Sequence, residues 1–499
     1  MDDARTALAF ADHLAIQLRA DFPLIVVDTM EEQRVVARAA EVCRTLHVRC
    51  LTWDVMTGFT SVTEGRPMAP ATDAIDVLSR LRQMSSDTLV VLKDFHHEWE
   101  DHRVLRAVRN YAQRGGAAGP SVLVVGAGAT VPEALRDTAV SLTLPPPSRT
   151  ELQEVLSEVC RTRWAESRLD AAGLEHLVDS ALGLTLEQAR RVFTKAVVND
   201  GVLDLRDIEL VLEEKKAVIA SSGALEYIEP TVRPEDVGGL DTLKEWLRLR
   251  ERTFSAAARD FGLPPPKGVA LIGLPGTGKS LTAKAIGALW GVPLLRLDVG
   301  AIYSSYMGES ERRARHALQL AEAIAPCVVW IDEMEKGLAH GGNDTGTSTR
   351  VMGTLLTWMA EKTSPCFVVA TANDVSALPP ELLRRGRFDE IFFLDLPSRQ
   401  EREEILGVHI RRSGRDMAGF DLTAVADRTE GFVGAELAQV VHDALLSAFD
   451  AGRELTTPDL VAAAGRVVPL SVAQRERVGA LRSWLAEGRA QPASGHRPW

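Results

Sequence analysis

The run GLPGTGKS, Gly273 to Ser280, gathers three glycines, a lysine and a hydroxyl into one short turn. It follows the apolar stretch VALI and precedes the helical segment LTAKAIGALWG, the strand–loop–helix setting that a phosphate-binding loop needs. Through Pro275 and Thr277, the glycines Gly273, Gly276 and Gly278 let the backbone curl with its N–H groups turned inward. The helix opening at Lys279, Ser280 and Leu281 adds partial positive charge. Lys279 is placed to reach the outer phosphates of a nucleotide, and Ser280 offers a hydroxyl to Mg2+. Downstream, CVVWIDE, Cys327 to Glu333, reads as a strand buried on both faces that ends on two acids. Asp332 would hold the magnesium shell. Glu333 would polarise the water that attacks the γ-phosphate, as general base or water-positioning group.

A second apolar strand ends on an acid in the first half of the chain, TLVVLKDFHHEW, Thr88 to Trp99. Here the upstream strand LIVV is followed by DTMEEQR, Asp28 to Arg34, with no glycine and no lysine. Glu31 and Glu32 would repel a triphosphate. Phe95 stands where a catalytic glutamate would follow Asp94. This half therefore reads as a degenerate domain that keeps a fold without nucleotide chemistry. His96, His97, Glu98 and His102 lack HExxH spacing and a nearby cysteine, and read as solvated loop residues. VVGAGATVP, Val124 to Pro132, lacks the third glycine of a dinucleotide fingerprint.

The elements that must hold these residues alternate between apolar strands and longer amphipathic segments, the pattern of an α/β parallel sheet. Strands are expected at Leu24–Val27, Val48–Leu51, Leu89–Leu92, Val122–Val125 and Val140–Leu144, closing at residue 147, with a helical segment over 148–220. A Gly-, Pro- and Ser-containing linker is expected over 221–235. The plan then repeats, with strands at Val269–Ile272, Leu294–Asp298, Cys327–Ile331, Phe367–Ala370 and Ile391–Leu394. A large subdomain over 236–396 is followed by a helical lid over 397–470, then a C-terminal helix and a frayed tail over 471–499. LPPPSRTELQEVL resembles LPSRQEREEIL, and GLTLEQARRVF later answers GFVGAELAQVV, which reads as a tandem duplication.

From Asp236 to about Leu470 the motifs, in order, resemble an AAA-type ATPase module. That resemblance implies that DVGGL, with Asp236, Val237 and Gly238, lays backbone against adenine. It implies that Asn373 in VVATAND senses the γ-phosphate. It implies that Arg384 and Arg387 in LPPELLRRGRFDE act as arginine fingers in a neighbouring subunit's site, and that Gly434 and Ala435 in GFVGAEL leave room beside the nucleotide. Tyr306 and Met307 in SSYMGES match a first pore loop, and HGGNDTGTSTR, His340 to Arg350, a second. LTAKAIGALWGVPLLRLDVG, LAEAIAPCVVWIDEMEK, LTWMAEKTSPCFVVATAND and RRGRFDEIFFLDLPSRQEREEI together resemble the Ycf-type AAA ATPases, a "hypothetical chloroplast reading frame" family also found in bacteria, and that likeness runs through most of the chain. The implied fold is a P-loop AAA+ module preceded by a degenerate AAA-like α/β domain. The implied assembly is a homo-oligomer, most often a hexamer, acting on a protein partner.

The 499 residues carry a net charge of −12, which argues against a nucleic-acid coat and lowers a nucleic-acid remodelling role. Five dispersed cysteines without a CxxC pair read as reduced, mostly buried thiols of a cytoplasmic protein. The N-terminus alternates apolar and charged residues and reads as neither signal peptide nor anchor, and no apolar run reaches the ~20 residues that span a bilayer. No zinc-protease motif occurs. The expected activity is Mg-ATP hydrolysis coupled to remodelling of a protein partner; the rival from another class is an ATP-gated scaffold or signalling switch with slow hydrolysis.

Overall fold

Uninterrupted Val, Leu and Ile runs leave no polar face for water, so strands made of them belong between two layers of helices. The computed structural model describes residues 2–65, 71, 73–113, 119–164, 166–254, 258, 261–302, 309–339, 345–379, 381–382, 384 and 386–495. They form two units, 1–212 and 213–499.

In the first unit, β1 (Leu24–Asp28), β2 (Arg49–Asp54), β3 (Gly58–Ser61), β4 (Thr88–Lys93), β5 (Ser121–Gly126) and β6 (Ala139–Leu142) make one sheet in the order β3-β2-β4-β5-β1-β6. All neighbours are parallel except β3, which pairs antiparallel with β2. Alternate residues enter two cores. Leu24, Val26, Val90 and Leu92 join Phe95 and Trp99 on one face, while Ile25, Val27, Leu89 and Val91 join Leu14 and Val35 on the other. The edge strand β3 was not expected, because in GFTS only Gly58 and Phe59 are buried and the run is too short to show a period. The segment after Pro147 is helical, but the two-residue strands β7 (Glu166–Ser167) and β8 (Val202–Leu203) also pair within it. Ser148 and Thr185 start its helices at Arg149 and Leu186 with capping boxes.

The second unit's sheet runs β15-β14-β10-β13-β12-β11-β9. Its strands are β9 (Leu225–Ile228), β10 (Gly268–Gly273), β11 (Leu294–Leu297), β12 (Cys327–Ile331), β13 (Cys366–Ala372), β14 (Glu390–Leu394) and β15 (Gln491–Pro492). The five parallel strands β11-β12-β13-β10-β14 repeat the order β2-β4-β5-β1-β6 of the first unit. Helices Arg399–Arg412, Leu422–Arg428, Gly434–Asp450 and Thr457–Ala464 pack a separate small core around Leu406, Ile410, Leu437, Val440 and Leu460.

Two expectations change here. The stretch 221–235 is not all linker: β9 lies inside it and pairs antiparallel with β11, its four residues too few to stand out beside flanking Gly, Ser and Pro. The tail expected to fray is also folded as far as Gly495. Helix Arg475–Ala486 buries Val478, Leu481, Trp484 and Leu485 in the core that holds Ile331 and Ala370. Beyond it β15 joins the edge strand β14, where a proline is tolerated. Ala493 N–H donates to Phe393 O at 2.9 Å, and Ala493 O accepts from Leu243 N–H at 3.0 Å.

Candidate nucleotide site

The phosphate loop leaves β10 at Gly273, a position without room for a side chain, since a Cβ there would lie 2.3 Å from Leu394 O. Gly276 and Gly278 take φ of 81° and 97°, a region that other residues avoid. The loop therefore closes directly into helix Lys279–Trp290, with Gly278 at its N-cap. The first N–H groups of that helix have no partner within it, and so point at whatever anion the loop receives. Thr277 braces the turn by donating to Leu274 O at 2.9 Å. Pro275, Gly276 and Thr277 are half-buried in the loop, and Leu281 packs against the core beneath it.

Lys279 is 5% exposed and donates to Gly273 O at 2.9 Å and Leu274 O at 2.7 Å. Burial pushes its ammonium down to about 8, partly offset by the nearby Glu335, Asp332 and Glu333 carboxylates. On the facing side, Ser280 Oγ donates to Asp332 Oδ1 at 3.0 Å and Thr371 Oγ1 donates to the same oxygen at 2.6 Å. Glu333 follows in a left-handed turn with φ of 48°. Its N–H donates to Thr371 Oγ1 at 2.9 Å, and its Oε1 accepts from Asn373 Nδ2 at 3.0 Å. Lys336 pairs with the other carboxylate oxygen at 2.5 Å. Ser280, Asp332, Glu333 and Asn373 thus converge beside Lys279 although they come from three separate segments.

The site's donor set is hard oxygen, a hydroxyl and a carboxylate, which suits Mg2+. Glu335 adds a buried Oε2 without a hydrogen-bond partner among the described residues, while its Oε1 accepts from Asn373 N–H at 2.9 Å. Glu335 and Thr371 were missed from sequence, because only the pairing of β12 with β13 brings them here. So was Arg477. From helix Arg475–Ala486 it donates to Asn373 O at 3.0 Å and lies 3.8 Å from Asp374.

The lid closes the other side. Ala435 N–H donates to Gly276 O at 3.1 Å, and a Cβ on Gly276 would meet Val433 and Ala435 at 2.9 and 3.0 Å. Gly434 lies close enough to Gly276 O that a Cβ would approach it to 3.3 Å. Asp236, Val237 and Gly238 run along helix Arg399–Arg412: Asp236 pairs with Arg412 at 3.0 Å, and a Cβ on Gly238 would meet Ile405 at 2.8 Å. His409 follows Ile405 one turn later; burial, and then Arg412, hold its imidazole below the ordinary range. Arg384 is exposed and Arg387 half-buried on the turn before β14, where Arg387 donates to Glu381 O. Tyr306 and Met307 lie outside the described residues, as do 340–344; Thr345 to Arg350, expected in a loop, begin helix Thr345–Glu361.

Residues 269–396 match the family described as "ATPase family associated with various cellular activities (AAA)", and 419–461 match the AAA+ lid domain. Residues 10–144 and 150–222 match the N-terminal and second domains of SpoVK-like AAA ATPases. The AAA domain-containing protein ycf46 of Guillardia theta is 36% identical over 493 residues, which cover 98% of this chain and 97% of that one. Its counterpart in Trieres chinensis is 37% identical over 497 residues, 98% and 99% of the two chains. The chain belongs to the Ycf46-type AAA family. The proteasome-activating nucleotidase of Aeropyrum pernix is 36% identical over 255 residues, 48% of this chain and 60% of that one.

In the SpoVK-like N-terminal domain, the turn after β1 is built from side chains rather than glycines. Glu31 Oε1 accepts from Leu186 N–H at 2.8 Å, joining this turn to a helix N-terminus as Gly276 O joins Ala435 in the AAA domain. Glu31 also pairs with Arg34 at 3.1 Å, and Glu32 with Lys93 at 3.3 Å. Arg34 is buried, makes bonds of 3.0 and 2.9 Å to Glu151, and donates to Pro145 O and Pro146 O. The acids expected only to repel phosphate are thus bound into the fold. Four of the five cysteines are buried and all are free. No helix among the described residues is long and apolar enough to cross a membrane.

Proposed function

We propose that this chain is a Mg-ATP-hydrolysing ring ATPase that couples turnover to remodelling of a protein partner. The observation that carries the reading is the convergence of Ser280 and Thr371 on Asp332 Oδ1 beside a Glu333 held by Asn373. Lys279 and the loop N–H groups bind and orient the phosphates, and Ser280 and Asp332 hold Mg2+. Bound magnesium supplies charge neutralisation at the outer phosphates. Glu333 accepts the proton of the attacking water, and Asn373 fixes the carboxylate's aim. Gly434 and Ala435 keep the lid against the loop, and Asp236 to Gly238 with Ile405 form the wall for the base.

Arg384 and Arg387 serve a neighbouring copy's site, where a guanidinium stabilises charge on the transferred phosphoryl group; such a finger can be worth ~10³–10⁵ in rate. Tyr306 and Met307 grip an extended chain in the ring's channel, and the cytoplasm is the compartment. Support for remodelling comes from the likeness to a proteasome-activating nucleotidase. Glu333→Gln should bind ATP as wild type does and lose turnover by ~10²–10⁴-fold. Wild-type turnover in that variant would remove Glu333 from the chemistry. Tyr306→Ala separates a motor from an ATP-gated switch: a motor loses remodelling while keeping basal hydrolysis, and a switch keeps both.

A further inference from the structure

Outside the nucleotide site, the turn after β4 brings three groups of metal-ligating type together. Asp94, His96 and His97 each offer one ligand atom, and these atoms lie within 4.8 Å of one another. Their convergence is set by the main chain. Asp94 takes a left-handed φ of 54°, its N–H donates to Val125 O at 2.8 Å, and its own carbonyl accepts from His97 N–H at 3.1 Å. This turn presses the side chains against β5: a Cβ on Gly126 would lie 2.7 Å from Asp94 Oδ1 and 2.8 Å from His96 Nδ1. The absence of a side chain at Gly126 is therefore what lets the two atoms approach one point. His102, which sequence spacing grouped with these histidines, leaves its side chain 94% exposed.

The hydrogen bonding of His96 is an independent observation. Its Nε2 lies 3.1 Å from Ala127 O, which can only accept, so the ring proton belongs on Nε2. Nδ1 is then a bare lone pair, and it is buried with no donor among the described residues. The group facing it near Gly126 is the Asp94 carboxylate, a second acceptor. The Asp94 carboxylate is exposed to solvent, but Nδ1 buried beside it has no donor among the described residues and is left unsatisfied. A cation between the two satisfies Nδ1, and a ring N–H held by a backbone carbonyl is how proteins orient a metal-ligating histidine.

We infer that Asp94, His96 and His97 bind one divalent transition-metal cation of the zinc class. Two imidazoles and one carboxylate match zinc or cobalt, whereas magnesium and calcium take oxygen ligands. Three protein ligands leave a coordination position for solvent, and the exposed Asp94 and His97 give the ion a path in. Lys93, the adjacent cation, is turned to Glu32 at 3.3 Å. Asp94 directly follows β4 as Asp332 follows β12. The first unit keeps an acid at the corresponding strand end and, with two histidines, changes the class of cation it suits. The bound ion cross-links Asp94 and the two histidines within the 94–97 turn.

The test uses the full chain without an affinity tag, stripped by chelator, free of nucleotide and titrated with Co2+. The expected result is one equivalent bound with a visible ligand-field band that Zn2+ displaces. Asp94→Asn and His97→Gln each weaken binding by at least ~10-fold, and Zn2+ raises the melting temperature of wild type more than that of either variant. The exposed His97 makes His97→Gln informative even if Asp94→Asn folds poorly. The band persists in Asp332→Asn, which separates this site from the nucleotide site. No band, a band unchanged in His97→Gln, or a band lost in Asp332→Asn would overturn the assignment.

Discussion

Thr371 shows how much of the site depends on a single hydroxyl. It donates to Asp332 Oδ1 and accepts from Glu333 N–H, so one side chain sets the positions of both acids. Thr371→Val keeps the shape and removes both bonds. Leaving the half-buried Glu333 N–H without a partner costs at most about 1–3 kcal/mol. If that cost falls on the aligned acids, kcat drops about 10–100-fold, since each 1.36 kcal/mol is tenfold. Nucleotide affinity should change little, because Lys279 and the loop are untouched. Steady-state phosphate release alongside a fluorescent-nucleotide titration checks the split between the two. On the proposed reading Lys279→Ala gives the opposite pattern, loss of binding itself, because its ammonium lies in the loop assigned to the phosphates. GLPGTGKS and CVVWIDE were legible in the sequence because residue type and local spacing already specify that chemistry. Thr371 and Glu335 were not, since their relevance depends on which strand lies beside β12.

At the scale of elements, helix Arg475–Ala486 connects the chain's end to its chemistry. Val478, Leu481, Trp484 and Leu485 anchor it, Arg482 pairs with Asp395 at 3.0 Å, and Arg477 holds the Asn373 carbonyl. Arg477→Ala should therefore lower kcat several-fold while KM for ATP stays near wild type, and Arg477→Lys should recover part of the loss. In the first unit the Arg34–Glu151 pair ties the turn after β1 to the helix that starts at Arg149. Burial opposes ionisation of Glu151, but Arg34, the Ser148 N–H and Arg38 outweigh it and hold the carboxyl at about 2. The folded value lies below the ordinary 4.5. The stabilisation is therefore complete above pH 4.5 and is lost as pH falls toward 2. Arg34→Ala leaves a buried carboxylate without its main partner and should cost the first unit about 3–5 kcal/mol, read as an earlier unfolding transition at neutral pH. That difference should shrink in acid. The parallel sheets were legible from their long apolar runs. β9 and β15 were not, because LEYI is short and Gln-Pro has no strand propensity; each is a strand only because an edge of the sheet accepts it.

For the whole molecule, the two units carry the same five-strand order and use it differently. One encloses a glycine loop for phosphate, and the other fills the corresponding turn with Glu31, Glu32 and Arg34 ion pairs. On the proposed reading only the second unit turns over ATP, and each of its sites is completed by an arginine from the next copy. The measurement that tests this most directly mixes two variants, Glu333→Gln and Arg387→Ala, each purified separately. Alone, each should retain about a hundredth of wild-type phosphate release or less. Mixed under assembling conditions, an intact Glu333 from one copy meets an intact Arg387 from the other, and a substantial part of the activity should return. Co-assembly of the two variants without any recovery, or full activity of Arg387→Ala as a monomer, would contradict the account.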